Sequence, residues 1–262
     1  MRDILTDMEK ALADGQADPM GSAQRSMRPK LAKRFYEDVT ISEAENGYVV
    51  HLDGRTVKTP GKVVVAFTTE DAAKLVADEF SAQIEVLDPM LMPCYRLANT
   101  ALDGVALDMQ AVIEDVLRFC GSDLLCYRAD SPDDLVNRQR AAWDGPLDWI
   151  EGLLGAQFRL AEGVMHVAQP RETISAYGAE IKSIENPMVM AAFHSMMTLT
   201  GSAILALAVF KEHLSAADAW NAAHVDEDHV IEHWGEDQEA KERRAYRWAE
   251  MDAADRMLKA LL

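Results

Sequence analysis

His229-Val230-Ile231-Glu232-His233 is the stretch of this chain whose residue types and spacing come nearest to a catalytic pattern. Two histidines four residues apart share a helix face and can bind one Zn²⁺ ion, with the glutamate between them as general base. H-x-x-E-H is the pattern of the inverted zinc peptidases. It is short, and the acids Asp226, Glu227 and Asp228 just before it fit a solvated, charged helix face equally well. No convincing third ligand stands out along the chain. A zinc-dependent hydrolase resting on His229, Glu232 and His233 is therefore the alternative reading, and no metal is expected in the preferred one.

Other chemistry is missing from the sequence. Ser195 and Ser202 lack a G-x-S-x-G context. There is no G-x-G-x-x-G and no Walker loop, so no nucleotide or other cofactor is expected. His213 and His224 read as surface or helix-terminal residues. Carboxylate pairs carry little information in a chain with 44 acids. The three cysteines, Cys94, Cys120 and Cys126, are odd in number and contain no Cys-x-x-Cys, which fits a reducing compartment better than a disulfide framework or zinc ribbon.

Charge and hydropathy narrow the partners. With 26 basic and 44 acidic residues the net charge is −18. Such a surface repels phosphate backbones and anionic lipid, which argues against nucleic acid and membrane surfaces. The longest apolar run, Ala203 to Phe210, is far too short for a bilayer. The first residues, Met1 to Asp7, have neither a signal-peptide core nor a transit-peptide character. A cytoplasmic protein without membrane insertion is expected.

The elements that would position any site follow from the periodicity. Residues 1–32 read as a short helix and a loosely docked polar segment. Strands are expected near 36–42, 48–52, 55–58 and 62–67, with turns at Asn46-Gly47, Asp53-Gly54 and Pro60-Gly61. Asp-Gly between apolar residues is a strong hairpin signal, because both turn positions want positive φ. A helix from Glu70 to Val86 follows, with Ala72, Leu75, Val76, Phe80 and Ile84 on one face and Thr68 or Thr69 as cap.

Everything after Pro93 reads as helical. Ser131-Pro132-Asp133-Asp134 starts one helix, and Gly145-Pro146 ends it and starts another. Pro187 to Phe210 is apolar, with a bend at Gly201-Ser202, and helices over 216–233 and 236–262 complete the set. Strands first and helices later predict an α+β protein. A small N-terminal β-rich α/β domain (33–100) would precede an all-α C-terminal domain (101–262).

The chain holds 14 methionines, and Met188, Met190, Met196 and Met197 cluster in one helix. Methionine is flexible and polarisable. Such a cluster serves either as core filler or as a face that grips irregular apolar partners.

An ordered series of short motifs carries a family resemblance. It runs through Lys33-Arg34-Phe35-Tyr36, Leu52-Asp53-Gly54-Arg55 and Lys58-Thr59-Pro60, then Glu79-Phe80-Ser81-Ala82-Gln83 and Met92-Pro93. Leu97-Ala98-Asn99-Thr100-Ala101, Asp103 and Asp123-Leu124-Leu125-Cys126-Tyr127-Arg128-Ala129 come next. Gln139, Trp143, Pro146, Trp149 and Trp234-Gly235-Glu236 close it. In order and spacing the chain resembles the chaperones that assemble the F₁ sector of ATP synthase by binding its α subunit, and it looks like a bacterial member. The likeness extends from Lys33 to about Arg244.

That resemblance implies a non-enzymatic assembly factor, which holds an unassembled α subunit until the β subunit replaces it. It also implies a functional acid just after the Trp-Gly pair, for which Glu236 and Glu239 are both candidates. Trp234, Glu236, Glu239, Met188 and Met190 are the expected partner-binding residues. The methionines would supply an apolar patch, and the acids would pair with cations of the client.

Overall fold

The structure, a computed structural model, describes residues 31–163 and 165–262. The helix and most of the polar segment expected within 1–32 lie outside the described residues. In chain order the strands are β1 (Ala32–Lys33), β2 (Val39–Ala44), β3 (Gly47–Leu52), β4 (Arg55–Thr56), β5 (Ala66–Phe67), β6 (Val86–Leu87), β7 (Tyr127–Arg128) and β8 (Ala161–Glu162). The helices are α1 (Glu70–Ala82), α2 (Pro93–Thr100), α3 (Met109–Cys120), α4 (Asp133–Leu154) and α5 (Arg171–Ile181). They continue with α6 (Pro187–Thr200), α7 (Ala203–Phe210), α8 (Ala216–Ala223), α9 (Val225–Trp234) and α10 (Gln238–Leu261). The protein is α+β, with a small N-terminal strand region followed by helices.

Residues 36–82 and 89–262 form one compact unit, and among the described residues 31–35 with 83–88 belong to another. The larger unit takes in both the sheet and the helices that follow. In the smaller unit β1 and β6 pair antiparallel, extended by Arg34 N–H to the Glu85 carbonyl at 2.9 Å. The Gln83 side chain accepts from Asp88 N–H at 2.8 Å. This pairing takes the chain out of helix after Ala82, so Ile84 is 84% exposed and lies on no buried face.

In the sheet β3 is central, pairing β2 on one edge and both β4 and β5 on the other. Asp53 and Gly54 have φ of 48° and 77°, the geometry expected of a hairpin turn. The Asp53 carboxylate also accepts from Glu37 N–H at 3.0 Å and Asp38 N–H at 2.9 Å. Those two amides therefore serve the turn, and β2 starts only at Val39. Gly47 has φ of 110°, and a Cβ there would lie 2.1 Å from the Phe67 carbonyl oxygen. Only glycine lets β5 close on β3 at that point.

The strand expected over 62–67 shortens to β5, with one further bridge between Lys58 and Val64. The cause is the tight turn at Thr59-Pro60-Gly61-Lys62. Asp103 holds it by accepting from the Thr59 hydroxyl at 2.6 Å and from Gly61 N–H at 2.8 Å.

Among the helices, α6 and α7 are the core. All of α7 except Phe210 is buried, as a helix apolar on every side should be. Gly201, at φ 68°, separates α6 from α7, and Ser202 caps α7 through Leu205 N–H at 3.0 Å. The methionine cluster belongs to this core. Met188 is 4% exposed, and Met190, Met196 and Met197 are fully buried. The expected apolar client patch at Met188 and Met190 is corrected accordingly: these side chains fill space between α6 and its neighbours and reach no surface.

Asp123 lies at the centre of the helical layer with no exposure. Its carboxylate accepts from Leu125 N–H (3.0 Å), the Ser202 hydroxyl (2.8 Å) and Ile204 N–H (2.9 Å). Burial pushes its carboxyl up to about 6, against the pull of those donors.

Contrary to the sequence pattern, α4 runs unbroken through Pro146. Trp143, Pro146, Leu147 and Ile150 are all buried, so packing outweighs the lost backbone hydrogen bond. The last helix, α10, returns along α6, α2 and α1. The Thr69 hydroxyl, at the cap of α1, donates to the Ala260 carbonyl at 2.6 Å.

Candidate functional site: the α9–α10 elbow

α9 begins with Asp226, Glu227 and Asp228, whose charges suit a helix N-terminus. Four side-chain contacts then fix its orientation. From α4, Gln139 donates to Asp226 at 2.7 Å, and Arg138 pairs with Glu232 at 2.6 Å. His229, 4% exposed, has its Nε2 2.9 Å from Asp134 Oδ2. From α10, Arg244 pairs with Asp228 at 2.5 Å. Gln139 also holds the Ala129 N–H at 2.8 Å, so α9 is tied to the same polar network as the preceding loop.

With one side of α9 held, the other carries exposed apolar groups. Val230 is 50% exposed and Trp234 77% exposed. Gly235 ends the helix at φ 89° and ψ 165°, a backbone region open essentially to glycine alone. Asp237 then caps α10 by accepting from Ala240 N–H at 2.9 Å. Between the helices, Glu236 pairs with Lys241 of α10 at 2.8 Å, and within the first turns of α10 Glu239 pairs with Arg243 at 3.1 Å.

Trp234, Glu236 and Glu239 therefore come together on one elbow: an exposed indole beside two carboxylates in surface ion pairs. Such pairs are weak, typically ~0–1 kcal/mol, and exchange readily for another cation. Met188 and Met190 are not part of this surface. Val230, Asp134 and Arg138 went unmarked at the sequence level. The two polar residues meet α9 from 90 or more positions away, and spacing gives no sign of that.

At the elbow the three residues of the hydrolase pattern are each engaged by protein groups: His229 by Asp134, His233 by the His229 carbonyl and Glu232 by Arg138. The Arg138 guanidinium holds Glu232 below the usual carboxylate range, engaged and charged. Desolvation raises Asp134, but the hydrogen bond and charge of His229 together with backbone donors outweigh it and hold the carboxyl low. Burial pushes the thiols of Cys94, Cys120 and Cys126 far up, so none is a poised nucleophile. No helix among the described residues is long and apolar enough to cross a membrane.

Residues 33–151 match the family model of the ATP12 chaperone protein. The crystal structure of Atp12 from Paracoccus denitrificans is 38% identical and superposes with a TM-score of 0.81, covering 88% of this chain and 99% of that one. The chain belongs to the ATP12 chaperone family. The crystal structure of the Agrobacterium tumefaciens protein Atu1473 is 49% identical with a TM-score of 0.85. That match covers 100% of this chain and 97% of the other. The mitochondrial protein atp12 of Schizosaccharomyces pombe is 23% identical over 225 residues, spanning 80% of this chain and 76% of its own length. An aspartate-to-lysine mutant of the Paracoccus Atp12p is also among the similar solved structures, with 38% identity and a TM-score of 0.81.

Proposed function

We propose that this member of the ATP12 family is a cytoplasmic chaperone for assembly of the F₁ sector of ATP synthase, holding the unassembled α subunit until the β subunit replaces it. The observation that carries the reading is Trp234, an indole left 77% exposed at the end of a helix fixed on its other side. Large aromatic side chains are rarely left out of the core without a partner, and they dominate protein–protein hot spots. An unassembled α subunit exposes an apolar face that leads to aggregation. Trp234 and Val230 meet that face, while Glu236 and Glu239 exchange Lys241 and Arg243 for cations of the client. The net charge of −18 keeps the complex soluble. No step in this cycle calls for chemistry by the chaperone.

The test uses purified α subunit, released from denaturant with and without this chain and without ATP. Light scattering should fall at equimolar chaperone, and added β subunit should restore free chaperone on a sizing column. Equal scattering with and without the chain would end the proposal. Suppression that needs ATP would do the same.

A further inference from the structure

We infer that Asp134, His229 and His233 form a binding site for a borderline divalent transition-metal ion such as Zn²⁺, which would clamp the first turn of α4 to the last turns of α9. One ligand atom from each of these residues lies within 4.8 Å of the other two. His229 Nε2 is 2.9 Å from Asp134 Oδ2, where the ion would displace the proton of that hydrogen bond to solvent, and His233 Nε2 is 3.7 Å from the same oxygen. The two imidazole rings are neighbours, with centroids 4.2 Å apart and planes tilted by 31°. A tetrahedral zinc site with bonds of ~2.0–2.1 Å sets its donors roughly 3.3 Å apart. Closing from 4.8 Å therefore requires a shift of about 1.5 Å. Asp134 and His233 have side chains 48% and 46% exposed, so both can move without disturbing the core.

The hydrogen bonding of His233 points the same way. Its Nδ1 lies 2.8 Å from the His229 carbonyl oxygen, which can only accept, so the proton sits on Nδ1. In the neutral ring Nε2 is then a bare lone pair facing the lone pairs of Asp134. Facing lone pairs repel. A proton on Nε2 or a metal ion between the two groups relieves the repulsion, and the metal also draws in His229. A backbone carbonyl that fixes the tautomer and turns Nε2 outward is also the usual outer support of a metal-bound histidine.

The chemistry of the donors selects the ion. Two imidazoles and one carboxylate suit zinc and its neighbours, whereas Mg²⁺ and Ca²⁺ prefer all-oxygen shells. Glu232 is absent from the set because Arg138 holds it, so the ion is structural here, without the general base of a peptidase. The site stands apart from the client reading and does not depend on it.

The experiment titrates the EDTA-treated, dialysed full chain with ZnCl₂ by calorimetry and follows thermal melting in parallel. One equivalent should bind, the melting midpoint should rise with Zn²⁺, and MgCl₂ should do neither. Asp134→Asn and His233→Ala should each weaken Zn²⁺ binding at least ~10-fold. Both replace half-exposed side chains, and unchanged circular dichroism will establish that they fold. Absence of saturable uptake would overturn the site. Equal uptake by the wild type and both variants would also overturn it, since the ion would then lie on other acids. Loss in one variant alone would refute the three-donor arrangement.

Discussion

The buried pins beneath the sequence motifs and the α9–α10 elbow are built in opposite ways. At Asp123 one carboxylate satisfies three donors with no solvent contact, and removing it strands all three. Nearer the surface, Asp53 and Asp103 each hold two donors of a turn in the sheet, and the buried Trp143 donates its indole N–H to the Ala222 carbonyl at 2.7 Å. At the elbow each carboxylate has one partner, reachable by solvent and easily exchanged. Residues of the first kind set the fold. Residues of the second kind can change partner at little cost to the fold, as the proposed client binding requires. Substitutions in the two regions should therefore separate stability from binding.

The largest effect is expected at Asp123. Asp123→Ala leaves two amides and a hydroxyl buried without an acceptor, at ~1–3 kcal/mol each, so about 4 kcal/mol of stability should go. Urea denaturation measures it, and a loss under about 1 kcal/mol would dissolve the distinction between the regions.

The same residue gives a pH signature. Its folded carboxyl titrates at about 6 against an ordinary 3.8, so the folded state holds the proton more tightly. Its share of stability is full below pH 4 and is lost as pH rises to about 6. By the linkage relation that amounts to roughly 2–3 kcal/mol. Asp123→Asn should flatten this slope in a pH series of urea melts. An unchanged slope would mean that another group produces it.

Trp143→Phe, which leaves the Ala222 carbonyl without its donor, should cost about 2 kcal/mol and leave client affinity per folded molecule intact. Trp234→Ala should do the reverse. Affinity for the α subunit should drop about tenfold, or ~1.4 kcal/mol, with stability within ~0.5 kcal/mol of wild type. Titration calorimetry and melting on the same sample decide between them, and a folding defect in Trp234→Ala would place the indole in the wrong class. The smallest effect is expected for Glu236→Gln and Glu239→Gln taken singly, each about two- to threefold in affinity with stability unchanged. If only one of the two moves the affinity, it is the functional acid.

Legibility in the sequence followed the range of the interaction. The Asp53-Gly54 hairpin, the Gly201-Ser202 break and the cap at Thr69 depend on neighbours, and each could be read from a few residues. Pro146 was misleading because its local rule, a break, lost to the burial of Trp143 and Ile150 around it. The methionine cluster was open to either reading, since composition alone cannot tell a packed helix from a sticky one. Trp234, Glu236 and Glu239 were found through the ordered motifs, yet their exposure needed the structure. Asp134 and Arg138 stayed hidden because their partners on α9 are brought in by the tertiary fold.

The hydrogen bond from Thr69 to Ala260 joins the start of α1 to the end of α10 across 191 positions. It bears on the order of events during synthesis. Until α10 has left the ribosome, the faces of α1, α2 and α6 that it covers stay open, and the cap of α1 lacks its partner. Contacts this distant in sequence form late. The elbow, which includes the first turns of α10, is thus completed only after residues through Arg244 have been made, long after the sheet and α1.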